Sequence, residues 1–310
     1  MKNSSAIKSD LLLLLASAIW GFAFVAQRAS MQYIGPFTFN AIRFALGASM
    51  IAVIHHMKGK NIQTDEHKKK QIIPHSRSGY QLKPGLFAGI ILFAGAGLQQ
   101  SGIVFTTAGK AGFITGLYVV IVPILGLFFH AKPSRANWAG AMLAITGLYL
   151  LSFKGTFTIE AGDSLVLAGA LFWAIHVIVI GRYSRVIPPL LLALVQFTTC
   201  AVLSAIVAVT VETISAHAIR SALIPILYSG FLSVGVAFTL QVFAQRKAHP
   251  AHAAIILSME TVFAAIGGWI ILHETIPTRG LIGCTLMLSG ILVSQIFHLK
   301  NLNKKDDPSQ

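Results

Sequence analysis

The chain has 310 residues, 55% of them hydrophobic and only 11% charged, where an ordinary soluble domain carries roughly 25% charged residues; a water-soluble globular enzyme is excluded. The net charge of +14 would suit a nucleic-acid binder, but the basic residues sit almost wholly in short connections between apolar stretches, so no nucleic-acid partner is expected. At roughly 20 apolar residues per crossing there is room for about ten membrane spans and no sizeable extramembrane domain.

Ten apolar stretches follow one another at about 11–30, 37–57, 84–105, 110–131, 135–153, 162–183, 188–211, 221–244, 249–272 and 277–298. Each is near helix-spanning length and none shows the dyad alternation of a barrel strand. The pattern predicts an all-α integral membrane protein with ten transmembrane helices, and the lipid bilayer as its first partner. Span 1 opens with Lys2, Lys8, the run Leu11 to Leu15 and the small triplet Ala16, Ser17, Ala18, which imitates a cleavable signal peptide. Apolar sequence continues from Trp20 to Ala26, so the segment reads as a retained span. Residues 58–83 form a basic loop, with the Lys68 to Lys70 run read as a topology determinant rather than a lipid-binding patch. Only Thr106 to Gly109 separate spans 3 and 4, and residues 299–310 form a polar tail. Cys200 and Cys284 lie inside apolar runs without metal spacing, so neither a disulfide nor a zinc site is expected.

Cytoplasmic connections accumulate Lys and Arg. Alternating the ten spans puts 18 of the 24 on the side of the termini and five on the other, Arg28, Lys110, Lys154, Arg220 and Arg279, with Arg43 inside a span. Both termini are therefore expected in the cytoplasm.

Sliding the chain by 153 residues lays spans 1 and 2 on spans 6 and 7 without a gap: Asp10 meets Asp163, Trp20 meets Trp173, Pro36 meets Pro189 and Phe44 meets Phe197. A shift of 141 pairs Gln100 with Gln241, and a shift of 143 pairs Gly140 with Gly283 and Gly147 with Gly290. The units are 9–153 and 162–298. A unit of five crossings has an odd number, so the second copy enters the membrane from the opposite face. Two inverted five-helix repeats can enclose a site and expose it to either side in turn, the geometry of secondary transporters.

The sequence "LASAIWGFAFVAQ" in span 1, then "GPFTFNAIRF", and "TTAGKAGFITGLYVVIVPIL" at span 4 have counterparts in "GALFWAIHVIVIGR" and "LSMETVFAAIGGWIILHETI". In these stretches the chain resembles the drug/metabolite transporter superfamily, specifically its EamA-type carriers with two five-helix repeats, over essentially residues 9–298. The resemblance implies a carrier of amino acids, nucleosides, nucleotide sugars, vitamins or other metabolites, with a leaning toward export of amino acids or related compounds from a bacterial inner membrane. Lys132, Pro133 and Ser134 stand where many relatives have a Gly-Glu-Arg-like turn.

Polar residues at mid-span depth nominate the site. Glu260 is the acidic residue nearest the middle of any span, where a carboxylate is costly unless neutralised or paired; it reads as a proton-coupling or substrate-ammonium site, against a structural ion pair. Arg43 lies three residues after Asn40 on one face of span 2. It would receive a substrate carboxylate or phosphate, unless it snorkels to headgroups or pairs with Glu260. The repeat sets Gln196 opposite Arg43, and the Tyr118 region opposite Glu260, so the two halves are electrically unequal and suit a zwitterionic metabolite. Trp20 and Trp173, well inside their spans, are candidate cavity walls, and His176 on a neighbouring part of the same face is a packing histidine or a proton relay. Gln99, Gln100, Gln241 and Gln245 either bind ligand or bond across helices, and Tyr118 adds a hydroxyl. Lys110 reads as an interfacial anchor. His249, His252, His273 and Glu274 match no zinc motif and fall toward opposite ends of span 9, so no metal is expected.

No enzyme signature is present: there is no His-Glu-x-x-His, no Gly-x-Ser-x-Gly, and "GKAG" at 109–112 lacks the P-loop spacing. An intramembrane enzyme, or a membrane sensor without transport, remains the alternative to a small-molecule carrier. No cofactor is expected.

Overall fold

A computed structural model describes residues 2–65, 78–106, 108–128, 133–152, 161–272 and 278–304. The Lys68 to Lys70 run, Lys132, Lys154, His273, Glu274 and the end of the tail lie outside the described residues.

Every element among the described residues is helical: α1 (Lys2–Ser30), α2 (Pro36–Asp65), α3 (Ser78–Ile103), α4 (Ala108–Gly116), α5 (Tyr118–Phe128), α6 (Arg135–Ser152), α7 (Ala161–Tyr183) and α8 (Pro189–Val211). There follow α9 (Ala216–Ser221), α10 (Leu223–Leu227), a π-helical stretch Tyr228–Phe238, α11 (Thr239–Gln245), α12 (Pro250–Leu257), α13 (Glu260–Leu272) and α14 (Thr278–Lys304). Pro36, Pro189 and Pro250 each open a helix, where a missing N–H costs nothing and the fixed φ suits the first turn.

Eight helical stretches among the described residues are long and apolar enough to cross a membrane, while Thr278–Ser294 is a shorter apolar helix. Among the described residues eight of the expected ten spans are met on length and composition, and the described parts of α6 and α14 fall short of a full apolar span. Their outer surfaces are apolar: Ile224 is 82% exposed and Phe128 77%, and Val53, Ile90 and Ile206 are also exposed. Water would penalise such a coat, and a hydrocarbon phase removes that penalty.

The packing repeats itself when the two halves are exchanged. α2 lies against α8, and α6 against α14. α3 packs on α7 and α8, as Leu223–Gln245 packs on α1 and α2; α1 packs on α13, as α7 packs on α4 and α5. At the α6–α14 crossing, a Cβ on Gly140 would lie 2.7 Å from the Gly290 carbonyl oxygen, and Gly147 meets the Gly283 carbonyl in the same way. This pairing runs the two helices antiparallel. It also relates Gly140 to Gly283 and Gly147 to Gly290 by a two-fold axis across the helices, an arrangement in which one half is turned over relative to the other. Phe44 and its repeat mate Phe197 face each other with ring centroids 6.3 Å apart.

Spans 4 and 9, each expected as one helix, are both broken near the middle. Leu117 separates α4 from α5, and Ser258 and Met259 separate α12 from α13. The turns are closed by short-range bonds, Leu117 N–H to the Ile114 carbonyl at 3.2 Å and Met259 N–H to the Ile256 carbonyl at 3.1 Å. Interrupted helices of this kind surround the sites of many transporters. The breaks fall directly before Tyr118 and Glu260.

Candidate functional site

A cavity of about 40 Å³ lies between the two halves. The first half supplies Trp20, Phe24, Gln27, Arg43, Gln99, Thr115 and Tyr118, and the second supplies Trp173, Val177, Ser233, Phe238, Gln241, Leu257 and Glu260. Its walls are largely aromatic, and its polar groups fall into two classes.

The first class is bonded within the protein. Gln99 Oε1 accepts from the Trp173 indole N–H at 2.7 Å and from the Thr115 hydroxyl at 3.3 Å, while its amide donates to Gln27 Oε1 at 3.2 Å. The Trp20 indole N–H donates to the Ser233 carbonyl at 3.1 Å, in the π-helical stretch. The two repeat-related tryptophans are thus each anchored by their indole N–H and present their rings as wall. Phe238 fills the floor between them, 4.6 Å from Trp20 and 5.8 Å from Trp173, and it also contacts Phe44, Phe197 and His176.

The second class is unpaired. Arg43 is 2% exposed and its Nε has no hydrogen-bond partner; its guanidinium carbon stands 5.1 Å from the Phe39 ring centroid and 5.0 Å from that of Phe44. Among the described residues it has no ion-pair partner. Glu260 is 4% exposed, faces the Tyr118 hydroxyl, and has Oε1 without a partner, as has the Tyr118 hydroxyl itself. Gln241 Oε1 is likewise unbonded. An arginine and a carboxyl group therefore line the same cavity without pairing with each other.

Of the candidate residues, the cavity brings together Trp20, Arg43, Gln99, Tyr118, Trp173, Gln241 and Glu260. The others bond elsewhere. Asn40 donates to the Ala96 carbonyl at 3.1 Å, Gln100 to the Gln27 carbonyl at 3.3 Å, and His176 Nε2 lies 2.9 Å from Gln196 Oε1. Gln245 donates to the Val177 carbonyl at 2.9 Å. Gln27, Thr115, Ser233 and Phe238 were not nominated. Gln27 carried a signal as a polar residue deep in span 1, whereas nothing in the pattern distinguishes Phe238 from other apolar residues of span 8. Lys110, expected as an interfacial anchor, instead pairs with Asp163 at 2.8 Å.

Apolar-coated helices arranged about an internal two-fold, with a largely apolar chamber between the halves, define a multi-pass membrane protein. The chain belongs to the EamA-like transporter family, whose profile matches residues 7–153 and 160–295. It is similar to an uncharacterized transporter of Archaeoglobus fulgidus, 31% identical over 286 residues covering 92% of this chain and 85% of that protein. It is also similar to the uncharacterized transporter YoaV of Bacillus subtilis, 24% identical and covering 93% and 97% respectively. A solved structure, titled only as a crystal structure of a protein, shares the fold with a TM-score of 0.74 at 18% identity, covering 93% of this chain and 96% of that one.

Proposed function

We propose that the protein is a secondary transporter that moves a small zwitterionic metabolite, an amino acid or a related compound, across the inner membrane by alternating access. The observation that carries this reading is that Arg43 and Glu260, not paired with each other, line one cavity between two halves of inverted arrangement. A substrate carboxylate at Arg43 and a substrate ammonium at Glu260 would satisfy both at once. Trp20, Phe24, Trp173, Phe238 and Leu257 would cover its apolar part.

Ten spans with both termini in the cytoplasm follow from the Lys and Arg imbalance, with α6 and α14 as spans 5 and 10. The working direction is export. Glu260 is the coupling group: it carries a proton when substrate is absent and exchanges it for the substrate ammonium, so proton entry accompanies solute exit. Tyr118, at the matching position of the first half, supplies the hydroxyl that relays to it.

Counterflow in proteoliposomes tests the reading. Vesicles holding purified protein and preloaded with a mixture of unlabelled amino acids should accumulate a labelled member of the mixture, at a rate strongly lowered by Arg43→Ala. Rates equal to protein-free vesicles across amino acids, amines and carboxylates would overturn it.

A further inference from the structure

The repeat relates two further polar clusters that lie outside the cavity. Near the start of α7, Asp163 accepts the Thr106 hydroxyl at 2.6 Å and pairs with Lys110 at 2.8 Å. Near the start of α1, Asp10 pairs with His252 Nε2 at 3.1 Å, and His252 Nδ1 lies 2.8 Å from the Ser294 hydroxyl, which accepts from Asn137 at 3.0 Å. Asp10 and Asp163 are repeat mates at a shift of 153, and Lys110 and His252 stand at a shift of 142, the shift that also relates Tyr118 to Glu260. Each cluster ties the first helix of one repeat to the broken span of the other.

The two lie at opposite ends of the bundle. Arg28 donates to the Ile103 carbonyl at 2.9 Å, and Gly102 packs on Gly162, so Asp163 sits beside the far end of α1. Asp10 is 18 residues earlier, about 27 Å along the helix axis. A further bond, Ser9 hydroxyl to the Ala244 carbonyl at 3.0 Å, closes the same end as Asp10.

We propose that these clusters are the two alternating latches of the transport cycle, Asp163–Lys110 holding the outer end shut and Asp10–His252 the end bearing the chain termini, with the histidine making only the second latch sensitive to pH. This rests on the transport reading above. A two-fold that exchanges the halves also exchanges the latches, so the state in which one opens is the mirror of the state in which the other does. The chemistry is unequal. Histidine gains its charge as pH falls through about 8 to 5, an interval in which lysine as a residue type stays charged. The bonding of His252 fits either form: a neutral ring accepts the Ser294 proton at Nδ1, and a cationic ring donates to the same oxygen. Gaining charge opposite Asp10 strengthens the latch, so acidity shuts the terminal end.

The groups around His252 allow this. α1 brings Asp10 and, further out, Lys8; the described side chains of α14 bring Ser294, and α6 brings Asn137 with Arg135 at its start. α7 brings Arg182 in its last turn, followed by Arg185, which donates to the Ala248 carbonyl at 3.4 Å. α5 contributes no charged residue, and His249 caps α12 itself by accepting from the Ala251 N–H. Among the described residues, Asp10 is the carboxylate that pairs with the ring.

The test places spin labels on full-length protein in liposomes, in a Cys200→Ala and Cys284→Ala background. Lys8→Cys with Arg246→Cys reads the terminal end, and Gly109→Cys with Ala161→Cys reads the outer end. Between pH 8 and pH 5.5 the terminal distance should shorten while the outer distance lengthens. His252→Lys should hold the terminal end short at both values, and His252→Gln, which keeps polar contacts without the charge, should lose the pH response. Asp163→Asn should lengthen the outer distance at both values. Distances that ignore pH in the parent, or a pH response retained in both His252 variants, would overturn the latches. Counterflow measured on the same preparations separates the two claims: transport with immobile ends refutes the latches alone, and latch motion without transport of any probe refutes the transport reading.

Discussion

The two halves of this protein share a helix plan and differ in the side chains that plan presents. Arg43 of the first half reaches the cavity unpaired, whereas its mate Gln196 is consumed by His176. Tyr118 and Glu260 occupy matched sites after matched helix breaks, one a hydroxyl and the other a carboxylate. Phe238 fills the floor where the shift of 141 gives Gly97 in the first half. Symmetry therefore supplies two equivalent ways of packing the bundle, and the departures from symmetry supply the chemistry held between them.

Substitutions can break this comparison in order of expected effect. Arg43→Ala and Glu260→Gln remove the two unequal charges; each should lower counterflow roughly ten- to hundredfold, the cost of a lost charge-assisted bond of about 1.5–3 kcal/mol. Comparable loss from Gln196→Ala would show instead that the halves contribute alike. Gly147→Leu attacks what the halves share: its side chain would meet the Gly283 carbonyl across the α6–α14 crossing. It should cost about 1–3 kcal/mol of stability, seen as a lower unfolding temperature in detergent. Gln99→Leu removes the acceptor that fixes Trp173, and should weaken apparent substrate affinity about fivefold, given about 1 kcal/mol for one such bond. Asn40→Ala should change transport least and stability by about 0.6 kcal/mol, since its amide bonds the Ala96 carbonyl away from the cavity.

Much of the scaffold was legible because membrane crossing imposes a simple rule on composition, and the Asp, Trp, Pro and Phe matches exposed the repeat. Mid-span charge drew attention to Arg43 and Glu260 for the same reason: at that depth a charged group is rarely idle. What the sequence left open was rotation about each helix axis. Gln99 and Gln100 are neighbours, about 100° apart on one helix; the first faces the cavity and the second turns to the Gln27 carbonyl. In a span apolar on every side, no hydrophobic stripe says which of the two faces inward. The breaks at Leu117 and at Ser258 and Met259, and the π-helical stretch, were hidden because no proline marks them and small residues such as Ser258, Gly230 and Gly235 are common in membrane helices, so contacts from other helices decide the local geometry. Phe238 was hidden for a related reason: its role comes from five aromatic neighbours contributed by four other helices.

The most direct measurement of the central claim, that Arg43 and Glu260 jointly hold a zwitterion, is the unfolding temperature of purified protein against amino acids and their amine-only and carboxylate-only analogues. A ligand stabilises the state that binds it. At least one amino acid should raise the temperature in wild type, with the shift lost in both Arg43→Ala and Glu260→Gln and weaker for either half-analogue. An equal shift retained in both variants would place the ligand elsewhere and contradict the account.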